Sequence, residues 1–129
     1  MKIEHLAMWV GDLEAMRHFY ESYFEATAGA RYHNPTKNFT SYFLSFETGC
    51  RLELMHRPEV PGVPVDPVRQ RSGLIHLAVS VGSRQRVDAL TERLRTDGHQ
   101  IVGEPRTTGD GYYESVVCDP EGNLIEITI

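Results

Sequence analysis

The sequence predicts an α+β fold, with paired βαβββ modules forming an open, curved mixed sheet around a metal site. Two observations carry that expectation. The first is internal repetition. Ile3-Glu4-His5-Leu6-Ala7-Met8-Trp9-Val10-Gly11 and Leu74-Ile75-His76-Leu77-Ala78-Val79-Ser80-Val81-Gly82 share the pattern x-x-His-Leu-Ala-x-x-Val-Gly, the mark of a duplicated structural unit. The second is the pattern downstream of each copy: an apolar spacing of helical period, then three segments with strand-like alternation.

The first helix is expected over about 12–24. Leu13, Met16, Phe19, Tyr20 and Phe24 fall at helical spacing, Asp12 is a fitting N-cap, and Glu14 and Glu21 lie on the polar side. Strands come next over about 25–33, 39–47 and 50–57. The second helix is expected over about 83–97, with Ser83 as cap, Val87, Leu90 and Leu94 inward, and Gly98 as its stop. Its strands cover about 99–104, 112–118 and 123–129, the last two joined by the turn Asp119-Pro120-Glu121-Gly122. The modules therefore span 1–57 and 73–129. Between them, residues 58–72 carry a proline at every third position from Pro58 to Pro67. That spacing favours an extended linker, so the halves can pair with each other or with halves of a second subunit.

The terminal strands repeat as well: Cys50-Arg51-Leu52-Glu53-Leu54-Met55 parallels Asn123-Leu124-Ile125-Glu126-Ile127-Thr128. Strand side chains alternate between faces. Leu6, Met8 and Val10, and Leu52 and Leu54, suit the helix-covered face, which sets His5 and Glu53 on the other. The same count in the second module sets His76 and Glu126 opposite Leu77, Val79, Ile125 and Ile127. A glutamate between two leucines or two isoleucines is costly to bury without a partner. One such residue is explained by a solvated sheet face, but four at repeat-related positions point to a shared site. Two imidazoles and two carboxylates suit one divalent ion, Zn, Ni, Co, Mn or Fe, with water completing the shell.

Composition excludes several classes. The chain has 129 residues and a net charge of −5, with 18 acids against 13 bases and no basic cluster to favour nucleic acid. No apolar run reaches transmembrane length, and the first ten residues lack a signal-peptide pattern. Cys50 and Cys118, with no CxxC, read as reduced thiols of a cytoplasmic protein.

His5 in IEHLAMWV, Glu53 in RLELM, His76 in LIHLAVS and Glu126 in DPEGNLIEIT together resemble the vicinal oxygen chelate superfamily of glyoxalases, bleomycin resistance proteins and extradiol dioxygenases. The likeness covers nearly the whole chain and is strongest to the glyoxalase I (lactoylglutathione lyase) branch. It implies paired modules around one divalent metal, often at a dimer interface, and a lyase or isomerase that moves a proton adjacent to a carbonyl through a metal-stabilised enediolate. Glu53 or Glu126 would be the base, since a dry, apolar pocket strengthens a carboxylate in that role. The alternatives on this scaffold are a metal-dependent dioxygenase, in which Glu53 would crowd the oxygen position, and a non-catalytic small-molecule binding or resistance protein, which does not need four ligands.

Two positions depart from the glutathione-dependent branch. Trp9 and Arg57 stand where those enzymes commonly carry an Arg and an Asn that contact glutathione. The expected substrate is therefore a small, oxygen-rich carbonyl compound with an anionic group, not necessarily a glutathione adduct. Trp9, Phe43 and Met55 would line its pocket and Arg57 would hold its anion. A homodimer is expected, because each module leaves sheet edges to pair. His18, His33, His56 and His99 have no repeat partner and read as structural or exposed. The polar stretch Arg106–Tyr113 reads as a plain hairpin connection or a lid beside the site.

Overall fold

Helical spacing and strand alternation each produce the element they predict. The structure, a computed structural model, describes residues 1–62, 66 and 72–129. It contains two compact units, Met1–Val63 and Pro64–Ile129. Of the linker expected over 58–72, residues 63–65 and 67–71 lie outside the described residues. Among the described residues no helix is long and apolar enough to cross a membrane.

In the first unit, β1 (His5–Trp9) leads into α1 (Leu13–Phe24). Asp12 caps α1 by accepting from the Ala15 amide at 2.9 Å, which satisfies one of the helix's unpaired first-turn donors. The five apolar residues expected on its inner face, Leu13, Met16, Phe19, Tyr20 and Phe24, are all buried. Next come β2 (Thr27–Ala28), β3 (Tyr32–Asn34), β4 (Phe39–Ser45) and β5 (Arg51–His56). The sheet order is β1-β5-β4-β2, with β3 also on β4. The single strand expected over 25–33 is thus two short ones. Thr27 pairs with Ser45 but Tyr32 pairs with Ser41, a register shift of one residue across the intervening Gly29-Ala30-Arg31.

The second unit repeats the plan with β6 (His76–Ser80), α2 (Arg84–Thr96), β7 (Ile101–Thr107), β8 (Tyr113–Cys118) and β9 (Leu124–Thr128), in the order β6-β9-β8-β7. Ser83 caps α2, and Gly98 ends it at φ 87°. One inward position differs from expectation. Thr91, not Leu90, is fully buried, because its hydroxyl is doubly satisfied, donating to the Val87 carbonyl at 2.7 Å and meeting Ser115 Oγ at 2.6 Å. β7 runs on to Thr107. The stretch Arg106–Tyr113 is a tight hairpin, closed by Thr108 and Tyr112 at 2.8 Å.

In each unit the helix packs on one sheet face. Leu44, Leu52 and Leu54 are buried there in the first, and Val117, Ile125 and Ile127 in the second. Both cysteines are free thiols, and burial, then Asp119, pushes the Cys118 thiol above its ordinary range.

Candidate functional site

The opposite sheet faces carry the candidate ligands. In both units the first strand lies parallel to the last, and the registers match: Ala7 pairs with Glu53, and Ala78 with Glu126. Each glutamate therefore lies on its neighbour strand one alternation from the histidine, on the same face. His5 Nε2 stands 3.9 Å from Glu53 Oε2, and His76 Nε2 stands 3.1 Å from Glu126 Oε2. The imidazoles are well exposed, with side chains 39% and 37% accessible, while Glu53 and Glu126 are 14% and 21% accessible.

Local structure holds these strands in place. Before β9, Asp119 Oδ1 accepts from the amides of Glu121 and Asn123, each at 2.9 Å. Asn123 Nδ2 donates to Asp119 Oδ2 at 2.8 Å. Gly122 turns the chain at φ 85°, a conformation that favours glycine. That turn sets the start of β9 and hence the register of Glu126.

In the first unit a further carboxylate, overlooked in the sequence, completes the surroundings of His5. Glu4 Oε2 accepts from His5 Nδ1 at 2.5 Å, and Glu4 Oε1 accepts from Arg51 Nε at 2.9 Å. The hydrogen bonds from His5 and Arg51 hold the Glu4 carboxyl below its ordinary range. With Nδ1 held by the Glu4 carboxylate, Nε2 is the ring nitrogen that faces Glu53. The one sequence signal was adjacency to His5. Glu4 precedes the strand, so face alternation did not apply to it.

Phe43 pairs in register with Glu53, lies edge-on to the His5 ring at 5.2 Å, and has the Arg51 guanidinium over its face at 4.1 Å. Met55 pairs with Trp9 and with Ser41. Arg57, just beyond β5, lies over the rings of Trp9 at 5.8 Å and Phe39 at 5.6 Å. Its Nε is buried without a hydrogen-bond partner, and among the described residues the guanidinium has no carboxylate partner. The structure thus brings Trp9, Phe43, Met55 and Arg57 to the Glu53 face and adds Phe39 to them. His56 Nδ1 lies 3.0 Å from the Val10 carbonyl oxygen, and the exposed His33 has its Nδ1 3.1 Å from Thr40 Oγ1.

Among the described residues no group of three or more His, Cys, Asp or Glu side chains is close enough to hold a metal ion. The candidate ligands stand as two His–Glu pairs, one in each unit. Their chemistry fits a divalent ion: an imidazole nitrogen and a carboxylate oxygen side by side, with His5 supported from behind by a carboxylate.

The model of the Glyoxalase/Bleomycin resistance protein/Dioxygenase superfamily matches residues 2–127. The chain belongs to this superfamily. Among similar sequences is the Bacillus subtilis (strain 168) protein described as "Uncharacterized protein YqjT". It is 26% identical over 128 residues, covering 97% of this chain and 96% of that one. Among solved structures, glyoxalase I from Zea mays superposes with a TM-score of 0.81 at 23% identity over 98% of this chain. This chain spans only 44% of the maize chain. A glyoxylase/bleomycin resistance protein/dioxygenase domain from Frankia sp. EAN1pec gives a TM-score of 0.83 at 19% identity, covering 100% of this chain and 97% of that one. At these identities the likeness shows the fold. A structure described as a possible glyoxalase from Bacillus cereus is 28% identical, with a TM-score of 0.72, over 100% of this chain and 99% of that one.

Proposed function

We propose that the protein is a metal-dependent lyase or isomerase of the glyoxalase I type, a cytoplasmic homodimer that moves a proton adjacent to the carbonyl of a small anionic substrate. The observation that carries this reading is the matched register of the two His–Glu pairs, Ala7 with Glu53 and Ala78 with Glu126. The duplicated fold sets the registers, but it does not require a histidine and a glutamate at these positions in both units.

His5, Glu53, His76 and Glu126 would hold the ion, a set complete only when a first-unit pair meets a second-unit pair. The ion, whether Zn, Ni, Co, Mn or Fe, supplies Lewis-acid polarisation of a carbonyl oxygen when bound. Glu53 or Glu126 takes the proton from the hydroxyl-bearing carbon next to that carbonyl and returns it to the former carbonyl carbon, while the hydroxyl proton passes to the former carbonyl oxygen. The partial cover on both carboxylates limits competing water. Phe43, Met55 and Trp9 form an apolar wall that orients the substrate's carbon skeleton. The Arg57 guanidinium, flanked by two rings and lacking an acidic partner among the described residues, binds its anionic group.

The test does not need the natural substrate. Small hydroxycarbonyl and oxo acids are incubated with metal-loaded protein in D₂O, and loss of the proton adjacent to the carbonyl is monitored by NMR. Exchange is expected for at least one compound. Glu53→Gln and Glu126→Gln should lower the rate more than they weaken binding. Undiminished exchange in the double variant, or none with any compound, overturns the assignment.

A further inference from the structure

The second unit carries a guanidinium on the ligand face that the proposed chemistry does not use. Arg106 lies near the end of β7, opposite Glu114 of β8. The pairing results from two register shifts in β7, one between Ile101 and Gly103 and one between Gly103 and Arg106. Carrying the Ile101–Val117 register on without them would set Glu104 opposite Glu114, acid against acid. The shifts replace that repulsion with an ion pair, Arg106 Nη2 to Glu114 Oε1 at 3.3 Å. Glu104 is engaged elsewhere, by Arg95 at 2.6 Å.

Glu114 is 8% exposed, a costly place for a carboxylate. The repeat-related position in the first unit, set by the registers that place Phe43 opposite Glu53 and Val116 opposite Glu126, is Ser41. The fold therefore does not require an acid there. What Glu114 does is accept one hydrogen bond from Arg106 Nη2, leaving the Arg106 side chain 51% exposed.

Gly103 makes room for this arrangement. A Cβ at residue 103 would lie 2.9 Å from Arg106 Nη1 and 3.3 Å from Val116 Cγ2, so the guanidinium rests over bare backbone. Gly103 pairs with Val116 and Val116 with Glu126, which puts all three in one row across the sheet, on one face. At about 4.8 Å per strand, Gly103 lies roughly 10 Å from Glu126.

We infer that Arg106 is a carboxylate-binding residue of the substrate site, seated by Gly103 and aimed by Glu114. A guanidinium tethered through Nη2 keeps further N–H donors, and such a planar group can match a carboxylate by paired, charge-assisted hydrogen bonds. The substrate class narrows to carbonyl compounds bearing a carboxylate. Glu114 is a positioning residue here: it touches Arg106, not the substrate. The inference rests on the proposal that the His76–Glu126 face is where substrate binds.

The test reads Arg106 directly and uses metal-free protein. The NMR signal of its Nε–H, identified by its loss in Arg106→Gln, is monitored during titration with lactate and malonate, and in parallel with lactamide and malonamide. Saturable shifts with the carboxylates and none with the amides are expected. Gly103→Ala presses hardest on the end of the flexible Arg106 side chain, at 2.9 Å, and requires Val116 Cγ2, at 3.3 Å, to give by a few tenths of an ångström, so thermal melting is recorded beside the titration to show that the variant is folded. The substitution should weaken carboxylate binding about tenfold, the scale of one charge-assisted hydrogen bond. Glu114→Gln should broaden or move the same signal before any ligand is added. The assignment is overturned if carboxylates and amides act alike, or if Gly103→Ala binds as wild type does. Metal content, measured separately on His76→Ala, reports on the proposed centre, so the two proposals fail independently.

Discussion

Glu4→Gln isolates the support of His5 from the coordination itself. The substitution keeps the side chain's size and removes its charge, so the His5 Nδ1–H loses a charged acceptor held at 2.5 Å. Carboxylate partners behind a metal-bound histidine are worth about 10–100-fold in metal affinity. The structure places Glu4 at the lower end, because its side chain is 55% exposed and solvent competes for the same imidazole proton. The expected loss is therefore about tenfold. The repeat provides an internal control, since Ile75 occupies the corresponding position before His76 and offers no acceptor. Ile75→Ala should leave affinity unchanged. The assay is a Zn²⁺ competition titration against a chromophoric chelator at fixed pH, with thermal melting as a check on folding. An affinity for Glu4→Gln within twofold of wild type, or an equal loss in Ile75→Ala, would refute the supporting role of Glu4.

Four other outcomes are expected. Metal analysis should find about one divalent ion per complete pair of units; His5→Ala and His76→Ala should each lose most of it, and tight binding by the double variant would remove the assigned site. Arg57→Ala should weaken binding of anionic carbonyl compounds without altering metal content, and robust turnover of the methylglyoxal–glutathione hemithioacetal unaffected by that change would restore a glutathione substrate. Thr91→Val deletes the buried 2.6 Å contact with Ser115 and should cost about 1–3 kcal/mol in urea unfolding; a loss below about 0.5 kcal/mol would mean that Ser115 finds another partner. Sedimentation equilibrium should give a homodimer, and a monomer at high concentration would contradict the expected assembly.

Much of each unit was legible because its signals are local. Helical spacing located α1 and α2 to within a residue or two, with both caps as expected, since a cap and an apolar stripe are properties of a few adjacent residues. Strand alternation placed His5, Glu53, Phe43, Met55 and Trp9 on one face for the same reason. Thr91 was missed because propensity ranks it below Leu90 for burial. A hydroxyl becomes an inward group only when a partner such as Ser115 arrives from another element.

The sequence by itself determined the duplicated βαβββ plan, the face on which each His and Glu lies, and the residue types from which a divalent site would be drawn. Those stem from periodicity and repetition, which no distant contact can alter without slipping a whole strand. Only the tertiary structure decided which strands became neighbours and at what register: β1 beside β5, β6 beside β9, and the shifts in β7 that set Arg106 rather than Glu104 against Glu114. It also decided that Glu4, outside the alternation, would turn back onto His5. Such choices depend on how well a strand's side chains and backbone groups match one specific partner strand. The competing registers differ by a few contacts that no single segment encodes.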